Sequence, residues 1–380
     1  ALTEYERALQ LLFTIERAAL TPVEERSWLS EVAHNELNRA SALTFLDRPE
    51  EAEAALLRAS AYFLQAEERM NHGRAQTNLG RLYLRWGQYA NALTAFDQAL
   101  NDLLGERAAE LLVAALTVNV SESDQAMGGE HAPALAQLRQ ADELLLEQAM
   151  AYLAMNLLPE AQQRLAICEV LFRTAVQPYE LGQSLYTWGL FDLRAGELSR
   201  AATHLAEAAL QFAQLSNGFW QNRTALAQAA LLYAAGDLNG AVSAVEQLFA
   251  AIPSDWAEPT DERLQWDLGG LVELHLLRLR CGIRLGQLTE VPLWAEQIAM
   301  LLGFSFVTLQ NAATLSDRSV AATTAPVEPV ALPHYTQRFY HLLGQWAREQ
   351  GASLEARYYF LRAISLLEAT RALLPVEEIR

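Results

Sequence analysis

The sequence predicts an all-α chain of stacked helical hairpins. Three observations carry this expectation: apolar residues recur at spacings of three and four, glycines punctuate those runs at recurring offsets, and strand-like alternation of useful length is missing. Leu93, Phe96, Ala99, Leu100 and Leu103 fall on one helical face, as do Leu205, Ala208, Ala209 and Phe212. Gly87, Gly196, Gly236 and Gly351 stand between such runs, where a residue without Cβ can adopt the left-handed conformation that ends one helix and reverses the chain. Pro49, Pro159 and Pro178 fall in first helical turns, where no amide donor is lost.

The hairpins follow a repeat. Counted from Gly80, the same offsets give Leu79, Tyr83, Gly87, Ala92, Phe96 and Ala99; from Gly189 they give Trp188, Gly196, Ala201, Leu205 and Ala208. From Ala229 they give Leu232, Gly236, Ala241, Val245, Leu248 and Pro253, and from Gly344 they give Leu343, Gly351, Ala356, Phe360 and Ala363. Weaker copies start at Ala40 and Ala149, and a degenerate one lies near Leu279 with Gly282, Gly286, Val291, Ala295 and Ile298. Small positions let paired helices approach, and large ones fill the groove between them. Asp192 breaks the pattern, standing where the Gly189 copy wants a large apolar side chain.

This arrangement of small and large positions resembles the tetratricopeptide repeat. The turns at 47, 87, 156, 196, 236, 286 and 351 set a basic period of about forty, against the usual ~34. The helices are therefore expected to be long, similar to the variants in kinesin light chains and bacterial signalling proteins. The resemblance implies a right-handed α-α superhelix, a solenoid of about seven hairpins. One solenoid is expected over 1–380: a capping helix over 1–20, hairpins plus an extra helix over 28–117, a loop over 118–133, hairpins over 134–309, a loop insertion over 310–333 and a last hairpin over 334–373. Ala8, Leu12 and Ile15 fit the second helix of a hairpin whose turn is expected near Thr3, with residues 2–20 capping the stack. Residues 374–380 read as the start of a truncated further segment, and 363–380 resembles the junction that joins such repeats to a CHAT-type caspase-like peptidase domain in bacterial proteins.

Composition excludes several chemistries. The 380 residues carry a net charge of −18 and are 52% hydrophobic, so the chain has material for a core and a surface that repels nucleic acid and anionic membranes. All 28 basic residues are arginine, which removes Walker-type phosphate loops and Schiff-base catalysis. Cys168 and Cys281 are too few for a disulfide framework and lack zinc-site spacing, so a reducing cytoplasm is the expected setting. His34, His72, His131, His204, His275, His334 and His341 form no metal-ligand motif and read as scattered surface or groove residues. No catalytic residue, metal or cofactor is expected, and the chain reads as non-enzymatic.

In a stack of such hairpins the first helices line the concave side, and positions six and three before the small residue, and one and five after it, point inward. Those offsets, taken to within one residue, collect His34, Arg74, Thr77, Arg81, Arg85, Tyr186, Arg194, Arg223, Tyr233, Arg280, Arg284, Arg338, His341 and Arg348. Guanidinium forks bind carboxylates and stack on rings, so the expected partner is a protein or peptide with acidic groups or a free C-terminus. The alternative is that these arginines pair with glutamates of the chain itself. Trp220, Trp256 and Trp266 are either aromatic contacts for the partner or core residues.

Overall fold

The computed structural model describes residues 2–46, 48–116, 132–252, 266–315 and 332–372. Among the described residues every regular element is a helix, and helices adjacent in sequence pack as antiparallel pairs, so the all-α hairpin class holds. No single described helix is long and apolar enough to cross a bilayer. The chain divides into two compact units, Ala1–Gln177 and Pro178–Arg380.

In the first unit the hairpins are Pro22–Phe45 with Pro49–Gln65, Arg69–Arg85 with Tyr89–Leu104, and Asp142–Ala154 with Leu158–Ala175. Helix Leu2–Phe13 packs on Pro22–Phe45, with Leu9 buried in a cluster with Trp28, Leu29, Val32 and Ala66. The cap thus uses Leu9 and Leu12, while Thr3, expected at a turn, lies inside the helix and Ile15 is exposed beyond its end. Helices Ala108–Leu116 and Ala132–Leu138 pack on each other between the second and third hairpins, and the former also covers Leu158–Ala175.

In the second unit the pairs are Pro178–Ala195 with Leu198–Gln214, Gly218–Ala234 with Leu238–Ala250, Leu268–Arg284 with Val291–Leu301, and Pro333–Glu349 with Ser353–Ala372. Helix Phe306–Leu315 lies against Val291–Leu301 and Ser353–Ala372. Residues 310–315, expected in a loop, therefore belong to a helix, and Pro133 and Pro333 each lie inside one. Ala132 also opens a helix, whereas 118–131, with His131, and 316–331 of the two expected loops, the turn at 47, Pro253, Trp256 and residues 374–380 lie outside the described residues.

Local chemistry explains the helix ends. Thr21 and Glu24 form a reciprocal capping box, and Asn217, Asp237 and Asp267 accept from the amides of Trp220, Gly240 and Gly270 at 3.1, 2.9 and 2.9 Å. At the centre of the second hairpin Gly87 has φ 71°, with Gly87 N donating to Leu84 O at 3.1 Å and Gln88 N to Tyr83 O at 2.9 Å. This double closure saturates the last carbonyls of the helix. Left-handed residues stand at 87, 156, 196, 236, 286 and 351, six of the turn positions expected from the repeat. Glu67, Val176 and Ser216 adopt the same conformation without being glycine and were not marked by the repeat.

Glycines inside the first helices set the depth of packing. A Cβ on Gly80 would run into the ring of the fully buried Phe96, and one on Gly282 into Trp294. On Gly189 it would lie 2.5 Å from Leu205, and on Gly344 2.6 Å from Phe360. Each partner is on the second helix of the same hairpin, so the missing side chain is what lets the large one seat. Asp192, the break in the pattern, is completely buried, and His204 on the facing helix bonds it at 2.7 Å while stacking on Trp188. Arg200 adds an ion pair at 3.2 Å. A polar contact replaces an apolar one, and His204, expected at the surface or groove, is a packing residue of the hairpin.

Gly80→Ala should lower stability by about 1 to 3 kcal/mol in chemical denaturation, because overpacking against Phe96 outweighs the gain of up to about 1 kcal/mol in helix propensity. Adding Phe96→Leu should restore part of the loss; equal stability of Gly80→Ala and the parent would contradict the packing argument.

Candidate functional site

In the second unit the first helices of successive hairpins touch in series: Pro178–Ala195 meets Gly218–Ala234, which meets Leu268–Arg284, which meets Pro333–Glu349. They form one continuous face. In the first unit Arg69–Arg85 meets Asp142–Ala154 in the same way.

The residues expected in the groove divide between the units. In the first unit, His34 is exposed, with Nδ1 2.8 Å from Ser30 O and its ring edge-on to Phe63. Arg74 and Arg85 are exposed, and Thr77 donates to Gly73 O at 2.9 Å within its own helix. Arg81 is committed to the next hairpin, donating to Glu147 at 2.7 Å and Glu143 at 3.1 Å. It ties two first helices together.

In the second unit, Arg194 is exposed, whereas Tyr186 is buried and packs edge-on to Trp220 at 5.3 Å. Trp220 stacks on Phe212, and Trp266 belongs to a core cluster with Leu226 and Leu271, so both are packing residues. Arg223 pairs with Asp267 at 3.5 Å, and Arg338 grips Glu273 with both arms, at 2.5 and 2.9 Å. Arg280 and Arg284 lie over the ring of Tyr233, 4.6 and 5.9 Å from its centroid. His341 is exposed, and Arg348 is exposed and bonds Glu349 at 3.3 Å.

Five of these arginines are of two kinds. Arg81, Arg223 and Arg338 are tied into carboxylates of neighbouring first helices or their caps, as the alternative reading had it. Arg280 and Arg284 have neither an ion pair nor a hydrogen bond among the described residues. The carboxylates themselves escaped the sequence reading, although a signal existed: Glu143 and Glu273 stand six before the small positions Ala149 and Leu279, the offset that yields Arg223 and Arg338. Only cations and rings were gathered from it.

Arg223, Asp267, Glu273, His334, Tyr335 and Arg338 come from three of these hairpins and act on one another electrostatically. Burial pushes the Glu273 carboxyl up, but the charge and hydrogen bonds of Arg338, with His334 and Arg223, outweigh it and hold the group below its ordinary value. His334 is driven down to about 4, chiefly by burial and then by Arg338. His275, edge-on to Phe249, is driven to about 4 by burial and by Arg278.

The remaining candidate chemistry is structural. Cys168 is fully buried, with its thiol pushed up by burial first and then by Asp142, and Cys281 is also buried and pushed up. His72 is buried, not at the surface or in the groove, and its Nδ1 lies 2.5 Å from Asp102. Among the described residues no three His, Cys, Asp or Glu side chains converge as metal ligands would.

Residues 31–103 match the family model of the tetratricopeptide repeat, and this stretch contains the copy counted from Gly80. Within residues 31–103 the repeat is therefore a tetratricopeptide repeat. No curated protein sequence matches the chain significantly. Among solved structures it is similar to the apo form of RapI, at 10% identity and a TM-score of 0.47, over 90% of this chain and 99% of that one. It is also similar to a tetratricopeptide repeat protein from Parabacteroides merdae ATCC 43184, at 14% identity and a TM-score of 0.37, over 74% of this chain and 97% of that one. A third is the TPR domain of P58(IPK), at 14% identity and a TM-score of 0.22, over 97% of this chain and 99% of that one.

Glu273 has a depressed folded-state value, so its pairing with Arg338 stabilises the fold above the ordinary carboxylate range and is lost as pH falls through the folded value. Glu273→Gln should therefore cost about 1 kcal/mol at pH 7, a bidentate but partly solvated pair, and progressively less as pH falls below the ordinary carboxylate range. A gap that persists undiminished at low pH would exclude an electrostatic origin. For His275 and His334, whose folded values also lie below the ordinary one, the neutral form is the native form. Their ring resonances should hold the neutral position from pH 7 down to about 5, and a midpoint near 6.5 at either would remove that ring from its buried setting.

Proposed function

We propose that the chain is a non-enzymatic protein-interaction scaffold that receives a peptide or protein segment along the concave side of its first helices. The tetratricopeptide match over residues 31–103 supports the scaffold role, since repeats of this kind present surfaces for protein partners. The observation that carries the finer reading is the pair Arg280 and Arg284, held on Tyr233 and left without carboxylate partners on a chain of net charge −18. In so acidic a protein an uncompensated cationic stretch on the first-helix face favours a segment bearing acidic groups. Its main chain would lie along the helices, and anionic side chains would meet the open guanidinium groups. The buried free thiols suit a reducing compartment, and we place the protein in the cytoplasm.

A second reading makes this scaffold the regulatory arm of a bacterial protein with a CHAT-type peptidase domain. It rests on the resemblance of residues 363–380, of which 373–380 lie outside the described residues.

Selection of random displayed peptides on the full chain tests the scaffold role. Selected binders should be enriched in Asp and Glu, and on binding they should slow amide hydrogen exchange in helices Gly218–Ala234, Leu268–Arg284 and Pro333–Glu349. Protection confined to the second helices of the hairpins, or no selected binder at all, would refute a first-helix site.

A further inference from the structure

The arginines of the first-helix face show how a carboxylate is satisfied in this protein. Arg338 meets both oxygens of Glu273 with its two arms, and nothing remains on either group's facing edge. One fork takes one edge of one carboxylate. Arg280 and Arg284 present two forks side by side, one helical turn apart and both over the ring of Tyr233. The ring holds the guanidinium planes without using their N–H edges, so the donors stay available while the side chains are ordered.

The next first helix adds to the positive field. His341 is lowered from its ordinary value by burial first, then by the charges of Arg280 and Arg348, and no carboxylate counteracts them there. On the same hairpins Glu246 pairs with Arg278, Glu349 with Arg348, and Asp237 accepts from the amide of Gly240. Complementing the negative end of helix Leu268–Arg284 would need one last-turn cation, not two on one ring.

We propose that Arg280, Arg284 and Tyr233, flanked by His341 and Arg348, form a subsite for the phosphoryl group of a phosphorylated serine or threonine on a protein partner. His341 Nε2 lies 3.0 Å from Gln345 Nε2, so the two open forks carry the site; together they offer twice the donors that one bidentate carboxylate contact uses, whereas a phosphoryl group brings three oxygens and a charge of about −1.5 to −2. The subsite is open: Arg284, His341 and Arg348 are all exposed, so a free phosphate ion would be held weakly. The remaining affinity must come from polypeptide on the same face, which is where this inference rests on the scaffold reading above. A nucleic-acid backbone would need a longer basic stripe than this acidic chain supplies.

The test measures binding of the full chain to three degenerate peptide mixtures by fluorescence anisotropy, with a central phosphoserine, a serine, or a Glu-Glu pair. The phosphoserine mixture should bind at least about tenfold more tightly than the serine mixture, with an advantage that shrinks as salt rises. The double variant Arg280→Gln/Arg284→Gln should erase that difference while keeping the helical circular dichroism and melting of the parent. Tyr233→Phe should retain the preference and Tyr233→Ala should weaken it, since the ring face is what orders the forks. Equal binding of the serine and phosphoserine mixtures overturns the subsite, as does a Glu-Glu mixture that equals phosphoserine. If none of the mixtures binds while a display-selected peptide does, the subsite fails and the scaffold reading stands; if neither binds, both fail.

Discussion

A hairpin in this protein closes only as far as the narrowest point between its two helices allows, and that point is a glycine. Gly80, Gly189 and Gly344 occupy the same place in the first helix of three hairpins, and Phe96, Leu205 and Phe360 descend onto them from the second; Gly282, one turn further along its own helix, receives Trp294 in the same way. The contact fixes the distance between the helices, and with it which residues of the first helix are covered and which remain on its outer face. Glycine inside a helix costs helical propensity of the order of 1 kcal/mol, which the seating of a large side chain offsets. The repeat is the trace of that exchange, written once per hairpin.

The first-helix face inherits its chemistry from this geometry. Positions at one offset recur in line, so a residue at that offset in one hairpin meets its counterpart in the next. Arg223, Glu273 and Arg338 are such a series, and the last two close as a bidentate pair across successive hairpins. Arg81 reaching Glu143 and Glu147 repeats the theme in the first unit. Partly solvated pairs of this kind add little stability individually, but they fix the lateral register of helices whose apolar contacts tolerate sliding. The arginines outside these pairs give the face an uncompensated sign.

The architecture was legible in the sequence because its cause is local. A glycine that permits a left-handed turn, or a small residue opposite a large one, leaves a mark at fixed spacing, and the turns at 87, 156, 196, 236, 286 and 351 lie where those marks put them. What escaped had no such mark. Glu67, Val176 and Ser216 turn the chain between hairpins in a conformation that their side chains disfavour, so the surrounding packing imposes it. Residues 310–315 looked like loop through their neighbours in an Ala/Thr-rich stretch, yet helix Phe306–Leu315 is held by burial of Phe306 and Ala313. The candidate face was half legible. Offsets located Arg223, Arg280 and Arg338, but whether a guanidinium is engaged depends on a carboxylate one hairpin away, and a search confined to cations passes over it.

Among the described residues of the second unit each first helix meets the first helix of the next hairpin, so separations between hairpins are governed by nearest neighbours and loosening can start at an end and advance inward. Tyr233, Arg280 and His341 sit on three consecutive first helices. A bound segment that spans them acts as a brace across two of these joints, and its binding energy is added to the resistance of both against parting. Occupancy would then be felt at the far end of the array as a slower fraying of Pro333–Glu349 and Ser353–Ala372, which turns a docking event into a mechanical one.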